Sequence, residues 1–172
     1  RKTGDYVYRA LRDRGFAHED IFYMREGPAQ PAADIFVDDR TPSQADVASA
    51  LQHWAVTQMN ASPAPLYIVL IDHGGPEKFY VYSGSYNETR YITPSELAGY
   101  LNFLQSSLSS AAHNQKITLV MGSCYSGSFV EEVSGANRVL ITSTSKDEVS
   151  HRGVLEKLGL VRDGEAFTTE FF

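Results

Sequence analysis

The sequence predicts an α/β fold with a mostly parallel sheet, on three observations. Two runs, L-Y-I-V-L-I-D-H-G-G (Leu66 to Gly75) and K-I-T-L-V-M-G-S-C-Y-S-G-S-F (Lys116 to Phe129), open with apolar residues at successive rather than alternate positions. Such runs suit strands buried on both faces, as in a parallel sheet covered by helices. A third strand-length run, Arg138 to Thr142, follows, and segments of helical period alternate with all three, the signature of βαβ units. Finally, the first two runs stop abruptly at small, turn-forming residues. In open α/β sheets, chemistry collects beyond the carboxyl ends of strands.

Taken in order, Asp5 to Arg14 reads as a helix, with Tyr6, Ala10 and Leu11 near one face and Gly15 as its C-cap. Ile21 to Arg25 is expected to be a short strand. The proline- and aspartate-rich stretch from Glu26 to Arg40 reads as a loop. Its Asp34, Asp38 and Asp39 lack EF-hand spacing and are read as solvated acids. Thr41-Pro42-Ser43-Gln44 predicts a helix start, with Thr41 as cap, Pro42 in the first turn and Gln44 closing a capping box. That helix is expected to reach about Met59, turning Val47, Leu51, Trp54 and Ala55 inward. Asn60 to Pro65 is a turn into the first buried strand. Phe79 to Tyr82 suits one strand of a surface hairpin. Thr93-Pro94-Ser95-Glu96 repeats the capping pattern for a helix to about Leu108, with Leu97, Tyr100, Leu101, Leu104 and Leu108 inward. A short helix is expected from about Ser126 to Val133, and a last strand near Ala166 to Phe171. The N-x-S/T triplets at Asn60 and Asn87 are of a kind that arises often by chance.

A chain of 172 residues has room for one domain, residues 1–172, with a substantial core. Its net charge of −6 and lack of a basic block argue against a nucleic-acid partner. The single cysteine excludes an internal disulfide and leaves the redox compartment open. No apolar run approaches the roughly 18–20 residues of a membrane span, and no signal peptide is visible. The chain opens mid-element at Arg1 and closes on Phe171-Phe172, so it is expected to be a piece of a longer protein.

His73 stands just past the first run and Cys124 just past the second. Neighbouring strands would bring an imidazole and the lone thiol to one sheet edge, the arrangement of a cysteine nucleophile with a histidine base. A thiol attacks as its thiolate, which a nearby imidazole and a following helix N-terminus both favour. Gly122, Ser123, Ser126 and Gly127 keep the turn slim enough for a peptide to reach the sulfur. The glycines after His73 leave a backbone N–H unshielded, able to point at a developing oxyanion. The bland alternatives are a strand-end cysteine serving as core filler and a satisfied core histidine.

His73 precedes Cys124 by 51 positions (73 to 124), as in the caspase-type arrangement. The D-H-G-G and G-S-C-Y-S-G-S-F blocks, with R-V-L-I-T-S-T-S-K-D-E after them, resemble the legumain-type (C13) cysteine peptidases of caspase-like fold. The opening Y-V-Y-R-A-L-R-D-R-G and closing A-F-T-T-E-F-F are similar to bacterial members. This resemblance implies a three-layer caspase-like sandwich with helices on both faces of the sheet, its first strand lying ahead of Arg1. It also implies a cysteine endopeptidase without metal or organic cofactor, acting on a peptide or protein substrate. Catalysis falls to His73 and Cys124, and the amides of Gly74 and Cys124 form the oxyanion hole. Asp72 resembles the family's aspartate, but adjacent strand residues face opposite ways, and the third catalytic member stays unassigned. The first substrate pocket is expected to involve Gly122, Ser143, Thr144 and Glu165, with Asp147 and Glu148 nearby. Gly122 stands where legumain has a glutamate, which removes one charge from the pocket wall; the resemblance implies a cut after asparagine, with another polar or basic residue left open. The resemblance points to a secreted or cell-envelope location; the oligomeric state stays open.

Two rival readings remain. G-S-C-Y-S-G partly matches the nucleophile elbow G-x-S-x-G, which would make Cys124, Asp147 and His151 an α/β-hydrolase triad. The other is a catalytically silent caspase-like module used for protein binding.

Overall fold

The structure, a computed structural model, describes residues 2–27, 32–81, 90–151 and 166–172. Helix α1 (Lys2–Asp13) ends at Gly15, whose φ of 95° lies in the left-handed region open to glycine. The Gly15 N–H donates to the Arg12 carbonyl and the Phe16 N–H to Leu11, a Schellman closure. The strand expected over Ile21 to Arg25 is instead a single parallel bridge, Met24 to Asp39. The acidic loop explains why so little pairs here. Asp38 accepts the Tyr23 N–H, Asp39 accepts the Thr41 N–H, and Asp34 pairs with Arg9 at 2.6 Å. Carboxylates thus take up positions a strand ladder would fill.

A continuous helical rod follows: α2 (Gln44–Ser49), a π-helical stretch (Ala50–Ala55) and α3 (Val56–Ala61). Its cap differs from the expected one. Ser43, not Thr41, accepts the Asp46 N–H, and the Asp46 carboxylate returns to the Ser43 N–H at 2.8 Å. Both pairs have capping-box spacing, but a carboxylate is the stronger acceptor, and Gln44 is drawn away to Glu96 at 2.7 Å. Asn60, at the rod's end, donates to the Ser107 carbonyl and accepts the Ser109 N–H, so its side chain is engaged in a structural joint.

Strand β1 (Leu66–Ile71) leads to a small antiparallel sheet of β2 (Gly74–Gly75), β3 (Lys78–Val81) and β4 (Arg90–Ile92). The expected hairpin strand at Phe79 is β3; Tyr82 and Asn87 lie outside the described residues. Pro76 and Glu77 form the β2–β3 turn, and the φ of 55° at Glu77 fits the second position of a type II turn. Then come α4 (Pro94–Ser106), β5 (Ile117–Gly122), a 3₁₀ turn (Ser126–Phe129) running into α5 (Val130–Val133), and β6 (Arg138–Thr142). The main sheet is parallel in the order β1-β5-β6. The fold is therefore the mixed α/β architecture expected.

Ile68, Ile117, Leu119 and Met121 point to one face and pack with Leu51, Ala55 and Met59 of the rod and Leu97, Leu101 and Leu104 of α4. The three leucines are at most 1% exposed, and burying such a side chain is worth about 1.5–3 kcal/mol. The closing residues correct the expected strand: Ala166–Phe171 is a helix, α6. Aromatic and β-branched residues suggested a strand, but Phe167 and Phe171, four apart, stack at 5.6 Å only if the segment coils. Among the described residues, no helix is long and apolar enough to cross a membrane.

Thr93 and Glu96 form the capping box predicted for α4. The Thr93 N–H, helped by its hydroxyl and Gln44 and opposed by burial, holds the Glu96 carboxyl below its ordinary range. A depressed carboxyl adds stability above its unfolded pKa, and loses it as pH falls through the folded value. Glu96→Gln mimics the protonated acid. We expect it to be less stable than wild type at pH 7 by a few tenths to about 1 kcal/mol. Urea titrations should show that gap closing as pH falls below the ordinary glutamate range; a gap that persists in acid would contradict this assignment.

Candidate active site

Ile71 and Gly122 are paired in the parallel register of β1 and β5. Two residues further along each chain stand His73 and Cys124. Adjacent strands lie about 4.8 Å apart, so both residues leave the sheet at one edge from neighbouring positions. Both line the same cleft of about 910 Å³, together with Gly122, Ser150 and His151. His73 is exposed and Cys124 partly so. The cleft continues along the outer edge of β1, where no strand pairs with it among the described residues. Its walls there include Val7, Tyr8, Leu11, Tyr23 and Trp54. Burial, then the hydrogen bond it donates to Asp5 at 2.9 Å, pushes the Tyr23 phenol well above the ordinary tyrosine range.

Gly74 is pressed against the Cys124 backbone. A Cβ there would overlap the Cys124 carbonyl oxygen and lie 3.1 Å from both the Cys124 carbonyl carbon and Ser123 Oγ. That hydroxyl is 2% exposed at residue level and has no hydrogen-bond partner among the described residues. A tie also joins the two strand ends. The Glu77 N–H donates to Ser128 Oγ at 3.1 Å, and Ser128 Oγ donates to the Tyr125 carbonyl at 2.7 Å. The hairpin after His73 is thereby fastened to the turn after Cys124.

Tyr125 has a φ of 57°, a left-handed conformation that costs a non-glycine residue roughly 1–3 kcal/mol. Its N–H donates to the Glu148 carbonyl at 2.7 Å, and the Ser150 N–H donates to Cys124 Sγ at 3.2 Å. The 148–150 segment therefore lies against Cys124 and Tyr125. Among the described residues no hydrogen bond joins the His73 ring to the sulfur; such bonds are often long before substrate arrives. Asp72 accepts the His73 backbone N–H at 2.7 Å, which stiffens the turn.

Gly122 is buried at the end of β5 and borders the cleft. Ser143 and Thr144 border a second, shallow pocket of about 370 Å³ with Asp147, Glu148, Val149 and His151. Their hydroxyls bond Ser123 and Ser126, a link the sequence reading missed. Its signal was two hydroxyl-rich exits, S-C-Y-S-G-S and T-S-T-S, following strands that prove adjacent. The Ser145 N–H, then its hydroxyl, holds the Glu148 carboxyl below its ordinary range, with a smaller pull from His151. Glu165 lies outside the described residues. Only one strand, β6, follows Cys124 among the described residues, fewer than the rival hydrolase topology needs, although His151 does reach the cleft.

The peptidase C13 family matches residues 58–158, more than half of the chain and both strand ends just described. No curated protein matches it.

Proposed function

Since the chain belongs to the peptidase C13 family, a family of cysteine peptidases, we propose that it is an endopeptidase with Cys124 as nucleophile and His73 as proton shuttle. The observation carrying this reading is the parallel register that sends residues 73 and 124 off one sheet edge side by side. Cys124 Sγ attacks the scissile carbonyl carbon, and the C=O π electrons move to oxygen. The Gly74 and Cys124 amides stabilise that oxyanion. His73 takes the thiol proton and gives it to the departing amine, leaving a thioester. Water then attacks the thioester, His73 removing its proton, which releases the acid and restores the thiol. Gly122, Ser143, Thr144 and Glu165 wall the first pocket in this reading. The shallow pocket carries Asp147 and Glu148, and Glu148 is held in its charged form; these favour an asparagine or basic side chain before the cut. A further strand seated along the free edge of β1 belongs to the same reading.

A peptide carrying a carbonyl-directed electrophile after asparagine or lysine tests it. We expect one covalent adduct, mapped to Cys124 by mass spectrometry, and none in Cys124→Ser. An unreactive thiol in a folded chain would point to the binding module instead.

A further inference from the structure

Ser126 stands two residues past the nucleophile and is 0% exposed. Its hydroxyl is the hub of a hydrogen-bonded knot between the turn after β5 and the exit of β6. Ser126 Oγ accepts the Thr144 N–H at 3.2 Å and lies 3.1 Å from Thr144 Oγ1 and 3.5 Å from Ser143 Oγ. The Ser126 N–H donates to Thr144 Oγ1 at 3.1 Å. On the other side of Cys124, the Ser123 N–H donates to Ser143 Oγ at 3.1 Å, and both Ser143 Oγ and Thr144 Oγ1 reach the Ser123 carbonyl at 3.2 Å.

A hydroxyl has one proton to give, so the three hydroxyls supply three of the four hydroxyl contacts, and the longest, Ser126 Oγ to Ser143 Oγ at 3.5 Å, is left as a contact without a proton. Ser143 and Thr144 each donate to the Ser123 carbonyl, whose two lone pairs accept both, and Ser126 donates to Thr144 Oγ1. Cys124 and the left-handed Tyr125 are thus suspended between two residues, Ser123 and Ser126, that are tied to the same neighbouring strand exit. We propose that Ser126 is a positioning residue: its hydroxyl, bonded to Thr144, fixes where Cys124 Sγ sits relative to the His73 strand end, while Ser143 and Thr144 hold Ser123 on the other side. Ser143 and Thr144 then serve the site with inward hydroxyls as well as by bordering the shallow pocket.

This inference rests on the peptidase reading, and the test separates the two. Ser126→Ala removes the hub and leaves the part-buried Thr144 N–H without its Ser126 acceptor. At a temperature where circular dichroism shows the variant folded, kcat for a peptide substrate should fall about 10- to 100-fold, as for a displacement of the reacting atom by up to an ångström. KM should change by less than about twofold, because ground-state contacts are untouched. Labelling by the peptidyl electrophile should slow in step with kcat. Alkylation by iodoacetamide, which needs no orientation, should change by less than about threefold. A structural role alone would lower the melting temperature and leave kcat of the folded protein intact. If Ser126→Ala does not fold, Ser143→Ala removes the neighbouring tie to Ser123. Because Ser143 also borders the pocket, that variant is read on kcat and on the saturating labelling rate. Both should fall more weakly, with Ser143→Thr restoring them, and a folded Ser143→Ala matching wild type in both would overturn the proposal. A wild type unreactive toward the peptidyl probe would overturn the peptidase reading and this proposal with it. A reactive wild type, matched within about threefold in kcat and labelling by the folded variant, would overturn this proposal alone.

Discussion

Replacing His73 with alanine is expected to lower kcat/KM for a peptide substrate by about 10²- to 10⁴-fold, the usual worth of a positioned acid–base group. His151→Ala should cost less than about tenfold. The comparison is demanding because both imidazoles line the cleft that holds Cys124, so proximity alone does not choose between them. The expectation rests on backbone geometry. His73 follows a strand hydrogen-bonded to the nucleophile's strand in fixed register, and the hairpin beyond it is tied back by Glu77 and Ser128. His151 follows the exposed stretch Ser145 to Val149, which is held by the Tyr125 N–H to Glu148 and the Ser150 N–H to Cys124 Sγ rather than by strand pairing in register. A proton shuttle must serve the thiol in one half-reaction and the leaving amine or water in the next, which favours the better-held ring. Steady-state kinetics on the two variants, with labelling of Cys124 in parallel, decide the matter. If His151→Ala abolishes acylation and His73→Ala spares it, the hydrolase-like assignment of Cys124, Asp147 and His151 takes precedence.

What made the main features readable in the sequence was that they depend on local pattern. Successive apolar residues announced β1 and β5, and their small-residue exits marked His73 and Cys124; the expected burial on both faces holds for β5, whereas in β1 only Ile68 is buried and Tyr67 is 54% exposed. The Thr93–Glu96 cap was readable for the same reason: the two partners lie three residues apart and compete with nothing nearby. At Thr41 to Asp46 two capping boxes overlap, and the choice fell to Gln44's bond with Glu96, 52 residues away. Local spacing cannot contain that. The α6 misreading is of another kind, since A-F-T-T-E-F has strand-like composition and only i, i+4 stacking of Phe167 on Phe171 declares the helix. The knot around Ser126 was hidden because its members come from two exits made adjacent by the β5–β6 pairing. Serine and threonine after a strand read equally well as substrate contacts, and the inward bonds emerge only from tertiary structure.

Gly74→Ala is expected to be strongly damaging to the site. The added methyl would overlap the Cys124 carbonyl oxygen and crowd the carbonyl carbon and Ser123 Oγ, each at 3.1 Å. Two of the three obstacles are backbone atoms, so no side-chain rotation relieves the clash; the strand ends themselves must part. Overpacking of this kind costs about 1–3 kcal/mol of stability. The larger effect should be on activity. The movement displaces the amides of Gly74 and Cys124 together, and loss of one oxyanion donor alone lowers kcat about 10²- to 10³-fold. Gly75→Ala is the matched control, because its methyl would first meet the Tyr80 hydroxyl at 3.3 Å, the far end of a side chain that can give way. We expect Gly75→Ala to keep kcat within about tenfold of wild type and to unfold at a similar urea concentration. Gly74→Ala, purified and shown folded, should bind a peptide inhibitor yet turn over substrate at least about 10²-fold more slowly. Near-normal turnover in Gly74→Ala would mean that the strand ends yield easily, and with that the rigid pairing of His73 and Cys124 would lose its physical basis.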